Sequence, residues 1–112
     1  MEVQKEQRGD VTIVRPVGRI NSGNAAEFEL ALNHQLDAGG RKLVLDLSHV
    51  DMISSAGLRV VLVIGKQLKT KSGKLVLAGL KQSVHEVFQI SGFLTLFPVF
   101  PNTTQAALSF GA

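Results

Sequence analysis

Two neighbouring hydroxyls, Ser54 and Ser55, stand between a short apolar run, Leu43 to Leu47, and a long apolar stretch, Leu58 to Leu68. That order reads as a strand, a hydroxyl-rich turn and a helix, with a serine in the helix's first turn. Phosphate is the chemistry such a position suits. The leading N–H groups of a helix have no intrahelical partners and the dipole is positive there, so negative charge is favoured. The plainer role is an N-cap, in which a serine oxygen accepts from a first-turn N–H. Spacing alone lets either Ser54 or Ser55 fill it.

Other chemistry has less behind it. Asp46 lies inside an apolar strand, where a hydrogen bond to a neighbouring turn would satisfy it, whereas Asp51 reads as exposed. Two carboxylates near a hydroxyl suggest acid–base or metal work, but no third ligand accompanies them. His34, His49 and His85 share no metal-ligand spacing, so no metal site is expected. A Ser55–His49–Asp46 triad can be drawn, yet there is no Gly-x-Ser-x-Gly elbow to present the serine. Neither Gly-x-Gly-x-x-Gly nor a phosphate-loop lysine occurs, so no cofactor and no catalytic residue is expected.

The surrounding elements must position the two serines. Val11, Ile13 and Val17 share one parity, broken by Arg15, and predict a strand with one buried face. Val3 to Arg8 is its antiparallel partner through a Gly9-Asp10 turn, and Pro16 marks an edge or the strand's end. Asn24 to Ala38 is a helix with Phe28, Leu32 and Leu36 on one face, Asn24 and Glu27 forming a capping box, and Gly39-Gly40 ending it. Leu43 to Leu47 is a strand buried on both faces. The helix from Ser55 to Lys71 is apolar almost all round in its first half, apart from Arg59.

Leu75 to Ala78 is a further strand, and Ser83 to Glu86 has the residue types of a capping box for a helix closed by Gly92. Leu94, Leu96 and Val99 are expected in a last strand bounded by Pro98 and Pro101. Thr103 to Phe110 is a terminal helix with Ala106, Ala107 and Phe110 available for docking. The order ββαβαβαβα implies an α/β fold, a mainly parallel sheet of about four to five strands with helices packed on it.

Composition narrows the function classes. The chain has 112 residues, room for one core, and its 45% hydrophobic content is globular. Zero cysteines exclude disulfides and thiolate metal sites and suit a reducing cytoplasm. The net charge is +3, and Lys66, Lys69, Lys71 and Lys74 cluster near the end of the long apolar helix, where cations complement its negative pole. No aromatics interleave with these lysines, so nucleic acid is not an expected partner. Residues 1–10 are polar and charged, unlike a signal peptide. The longest apolar run, Val60 to Ile64, falls far short of the roughly 20 residues that span a bilayer.

The segment Ile53 to Arg59 (ISSAGLR), preceded by Leu45 to Ser48 (LDLS), resembles the signature of bacterial STAS-domain proteins, above all the anti-sigma factor antagonists. Val17 to Ser22 is similar to that family's early turn, and Leu75 to Leu80 resembles its fourth-strand region. The likeness spans essentially the whole chain. It implies a non-enzymatic regulator whose unmodified form binds an anti-sigma factor, itself a serine kinase with a histidine-kinase-like ATP fold. Phosphorylation would break that complex and a PP2C-type phosphatase would restore it.

Alignment on Gly57-Leu58 puts Ser55 at the phosphorylated position. The resemblance further implies a partner surface of Asn21, Ser22, Met52, Ile53, Ser54, Ala56, Gly57, Leu58 and Arg59. Ser54 and Asn21 stand where many relatives carry aspartate. Some relatives control secretion instead of transcription, and others are STAS subunits of lipid or anion transport systems. A small enzyme using Ser55 as nucleophile is the remaining alternative.

Overall fold

A computed structural model describes residues 1–111. Two strands open the chain, β1 (Glu2–Arg8) and β2 (Val11–Ile20), followed by helix α1 (Ala25–Asp37). Strands β3 (Lys42–Asp46) and β4 (Val50–Ile53) then lead into the long helix α2 (Ser55–Thr70). Strand β5 (Lys74–Ala78), helix α3 (Gln82–Ile90), a 3₁₀ turn (Phe93–Thr95), strand β6 (Val99–Phe100) and helix α4 (Thr103–Leu108) complete the order. The sheet has six strands, more than the four to five expected. Their order is β1-β2-β3-β5-β6, with β4 beside β2, and among the described residues only the β1–β2 pair is antiparallel.

The additional strand is β4, in a segment whose residue types predict a turn. It exists because β2 is long enough to serve two partners. Val11 to Val14 pair with β3, and Gly18 to Ile20 pair with β4. Between them, Arg15 to Val17 have no partner on that side. Pro16 therefore sits inside the strand, buried and opposite Val3, where a missing N–H breaks no rung toward β3 or β4.

The one-buried-face expectation for β2 also fails: Val11 to Val14 are all buried, because helices cover both sides of the sheet. Alternation along the strands sorts the two cores. Val14, Leu43, Leu45, Leu75 and Leu77 join Phe28, Leu32, Val61, Ile64 and Phe88 of helices α1–α3. Val11, Ile13, Val44, Val76 and Ala78 join Ala106 and Ala107 of α4, with Phe110 packed alongside.

Three local expectations change. Asn24 precedes α1 but makes no side-chain cap, and Glu27 instead pairs with the Met1 amino group. Ser83 lies inside α3, whose N-cap position is Lys81, and its hydroxyl donates to the Asp51 carbonyl. Leu94 and Leu96 fall in and after the 3₁₀ turn, and the last strand is only Val99 and Phe100, between the two prolines.

Arg15, the break in the β2 pattern, has a partner. Its Nε donates to Asp46 Oδ2 at 2.6 Å, and Glu6 lies 3.6 Å from its Nη2. Asp46 Oδ1 accepts from the Ser48 N–H at 3.0 Å, the turn bond its place in the sequence suggested.

Candidate functional site

Pairing of β2 with β4 sets Ile20 beside Ile53, so the residues that follow each strand emerge together. The Ser54 N–H donates to the Ile20 carbonyl at 2.9 Å. Asn21, Ser22, Ser54 and Ser55 thus meet at the carboxyl ends of two parallel strands, the usual place for a binding site in an open α/β sheet.

The two serines then divide. Ser54 is the N-cap of α2: its backbone is extended and its Oγ accepts from the Gly57 N–H at 3.4 Å. Ser55 is the first helical residue, and it is exposed. Its N–H and that of Ala56 belong to the leading turn, which has no intrahelical acceptors. No acidic residue lies in that turn. A phosphate on Ser55 would meet the positive helix end with no carboxylate of the same turn against it.

The facing loop is held by amide side chains. Asn24 Oδ1 accepts from the Asn21 N–H at 2.9 Å, and Asn24 Nδ2 donates to the Arg19 carbonyl at 2.7 Å. Asn21 Oδ1 accepts from the Gly23 N–H at 2.9 Å. Asn21 therefore shapes this turn through its own oxygen, and Ser22 is exposed at its tip. Asn24 locks the loop in place of capping the helix.

The nine partner-surface residues do not all face outward. Ile53, Gly57 and Leu58 are buried. A Cβ on Gly57 would lie 2.6 Å from Ile53 Cγ1 and 2.7 Å from Ile20 Cγ2, so the missing side chain lets α2 seat on the paired strand ends. These three residues support the loop from beneath. Met52 and Ala56 are half-buried, and Arg59 is exposed. Ala56 and Arg59 border an open groove of about 490 Å³ between α1 and α2, shared with Ala25, Ala26, Glu29 and Val60. The α1 residues of this groove escaped sequence reasoning; the small, non-core Ala25 and Ala26 at the start of α1 were the available signal.

Asp51 is exposed, and the Lys81 ammonium beside it holds its carboxyl below the usual aspartate range. That ion pair and the Ser83 hydroxyl tie the start of α3 to β4.

A family model described as the STAS domain matches residues 2–106. Over 93 residues the chain is 54% identical to "Putative anti-sigma factor antagonist BtrV" of Bordetella bronchiseptica, covering 83% of this chain and 80% of that protein. The chain belongs to the STAS-domain anti-sigma factor antagonist family. This STAS domain superposes on the crystal structure of an anti-sigma factor antagonist from Mycobacterium paratuberculosis with a TM-score of 0.89 at 22% identity, covering 96% of this chain and 92% of that one. Against the anti-sigma factor antagonist SpoIIAA in its unphosphorylated form the TM-score is 0.83 at 18% identity, covering 97% and 96%. Against SpoIIAA in its phosphorylated form it is 0.74 at 18% identity, covering 95% and 96%. At these identities the structures establish the shared fold.

Nothing in the STAS domain assembles the hydrolase triad drawn from Ser55, His49 and Asp46. The Asp46 carboxylate is engaged by Arg15 and the Ser48 N–H, and neither Ser55 nor His49 makes a side-chain hydrogen bond among the described residues. Among the described residues no three His, Asp or Glu side chains gather as a metal site, and no helix is long and apolar enough to cross a membrane.

Proposed function

We propose that this antagonist is a partner-switching regulator whose state is carried by Ser55. Unphosphorylated, it binds a cognate anti-sigma factor of the ATP-binding serine-kinase type in the cytoplasm and frees the sigma factor. The kinase transfers phosphate to the Ser55 hydroxyl and the complex parts; a PP2C-type phosphatase removes the phosphate. The observation that carries this reading is the division of labour at the start of α2. Ser54 caps the helix, so the exposed Ser55 hydroxyl has no structural duty.

The contact surface is the exposed or half-exposed part of the loop: Asn21, Ser22, Met52, Ser54, Ala56 and Arg59 around Ser55. A phosphate adds nearly two negative charges and three strong acceptors. Burying it at an interface without matching cations costs several kcal/mol, and a loss of about 1.4 kcal/mol already weakens binding tenfold. The domain need not refold for the switch to act.

Incubation with the kinase-type anti-sigma factor and ATP, followed by phosphopeptide mapping of wild type, Ser54→Ala and Ser55→Ala, tests the assignment. Phosphate should appear on Ser55 in wild type and Ser54→Ala and be lost in Ser55→Ala. Phosphate retained in Ser55→Ala and lost in Ser54→Ala would move the switch to the cap.

A further inference from the structure

Away from Ser55, α2 from Leu62 to Lys69, the start of β5 and the segment Leu96 to Pro98 that joins the 3₁₀ turn to β6 border an open apolar groove. Two adjoining hollows of about 430 and 270 Å³ share Gly65, Lys69, Leu96 and Phe97. Leu62 lines one end, and Leu75 and Pro98 line the other. Gly65 lets the Phe97 ring lie against the helix, because a Cβ there would overlap that ring. Leu96, beside it, is 56% exposed.

The rim is basic. Lys66 and Lys69 stand on α2 and Lys74 on β5, so cations flank the groove from two elements. None of the three takes part in an ion pair among the described residues. Complementing the negative pole of α2 accounts for Lys69 in the last turn, but not for Lys66 one turn earlier or Lys74 beyond the helix. Unpaired lysines on both sides of an apolar trough match a ligand with an apolar face and flanking carboxylates. A concave trough suits an inserted segment better than a bilayer surface, and it offers no row of aromatic rings for bases to stack on.

We propose that this groove is a second docking surface, and that its occupant is an acidic amphipathic segment of a partner protein. Its apolar side chains would lie on Leu62, Leu96 and Phe97, and its carboxylates would face Lys66, Lys69 and Lys74. Lys69 follows Ser55 by 14 positions on one helix, or about 20 Å at the usual rise per residue. That separation exceeds the Debye length of about 8 Å at physiological salt. Docking here is therefore independent of the state of Ser55 and can hold a partner near the loop while the switch turns over.

The test is a titration of the isotope-labelled full chain, followed by amide NMR, with a synthetic amphipathic peptide of about 18 residues bearing Leu on one helical face and Glu on the flanks. The matched peptide has Lys in place of Glu, and phosphatidylglycerol vesicles form a third arm. Saturable shifts at Gly65, Leu96 and Phe97 with the acidic peptide only are expected. Lys66→Ala with Lys69→Ala should weaken binding about fivefold to tenfold, whereas Ser55→Asp should leave it unchanged. Leu96→Ser, an exposed change with little cost to folding, should weaken it as well.

No saturable shift up to about 1 mM peptide, an equal response to the basic peptide, or shifts confined to the Ser54–Ser55 loop would overturn the proposal. Vesicle binding that needs the lysines, without peptide binding, would also overturn it by assigning the groove to a membrane.

Discussion

Ser54 Oγ accepts the Gly57 N–H at 3.4 Å while Ser55, its neighbour, stays exposed at the first position of α2. Two adjacent hydroxyls thus have separate physical roles. Loss of an N-cap costs about 1 kcal/mol, and exposed substitutions stay within about 0.5 kcal/mol. Ser54→Ala should therefore lower the unfolding free energy measured in urea by that larger amount and Ser55→Ala should barely change it. Equal losses would mean that both serines support the helix.

Gly57 is required by contact with the strand beneath. Gly57→Ala places a methyl 2.6 Å from Ile53 Cγ1 and 2.7 Å from Ile20 Cγ2, so the start of α2 or the two isoleucine side chains must shift. Overpacking of this kind costs about 1–3 kcal/mol. The loss should appear in equilibrium unfolding, together with amide shifts in the Asn21 and Ser54 loops. An unchanged midpoint would contradict the seating described here.

Asp46 should shape the acid limb of stability. Burial pushes its carboxyl up, but the Arg15 hydrogen bond and the Ser48 bonds outweigh burial and hold it below the ordinary value of 3.8. A depressed native pKa means that the unfolded chain binds the proton more readily. The contribution is therefore present above pH 3.8 and lost as pH falls below that, through the native value. Asp46→Asn should flatten that limb and cost about 1–3 kcal/mol at neutral pH, because Arg15 loses its charged partner. Urea unfolding from pH 2 to pH 7 checks both; parallel curves for wild type and variant would refute the pairing's role.

Arg59, exposed one turn beyond Ser55 at the edge of the α1–α2 groove, should act on association. Charge at a rim chiefly alters the on-rate and its salt dependence. Arg59→Glu should slow binding of the anti-sigma factor several-fold at low salt, with the difference shrinking as salt rises. An unchanged on-rate, read by stopped-flow or surface kinetics, would place Arg59 outside the interface.

The long helices were legible because their signals are local. Phe28, Leu32 and Leu36 mark the face of α1, and the apolar run with its flanking serines marks α2. The continuous run at β3 announced burial on both faces for the same reason. What escaped depends on pairing between distant segments. Val50–Ile53 is four residues long and contains Asp51; only the reach of β2 to Ile20 makes it a strand.

Pro16 looked like an end because a single chain does not reveal that β2 changes partners around it. Asn24 and Ser83 have capping residue types, yet loop closure and a bond to β4 use them otherwise. At the site, the serines could be found in sequence. Which of them caps the helix, and which neighbouring apolar residues turn inward, required the packing of Gly57 on Ile20 and Ile53.

The central claim is that the state of Ser55 decides binding of the anti-sigma factor at the serine loop. The most direct measurement compares the affinity of wild type, Ser55→Ala and Ser55→Asp for the cognate anti-sigma factor with ADP present. The account predicts that Ser55→Ala binds like wild type and that Ser55→Asp binds at least about tenfold more weakly. Equal affinity of all three would contradict it.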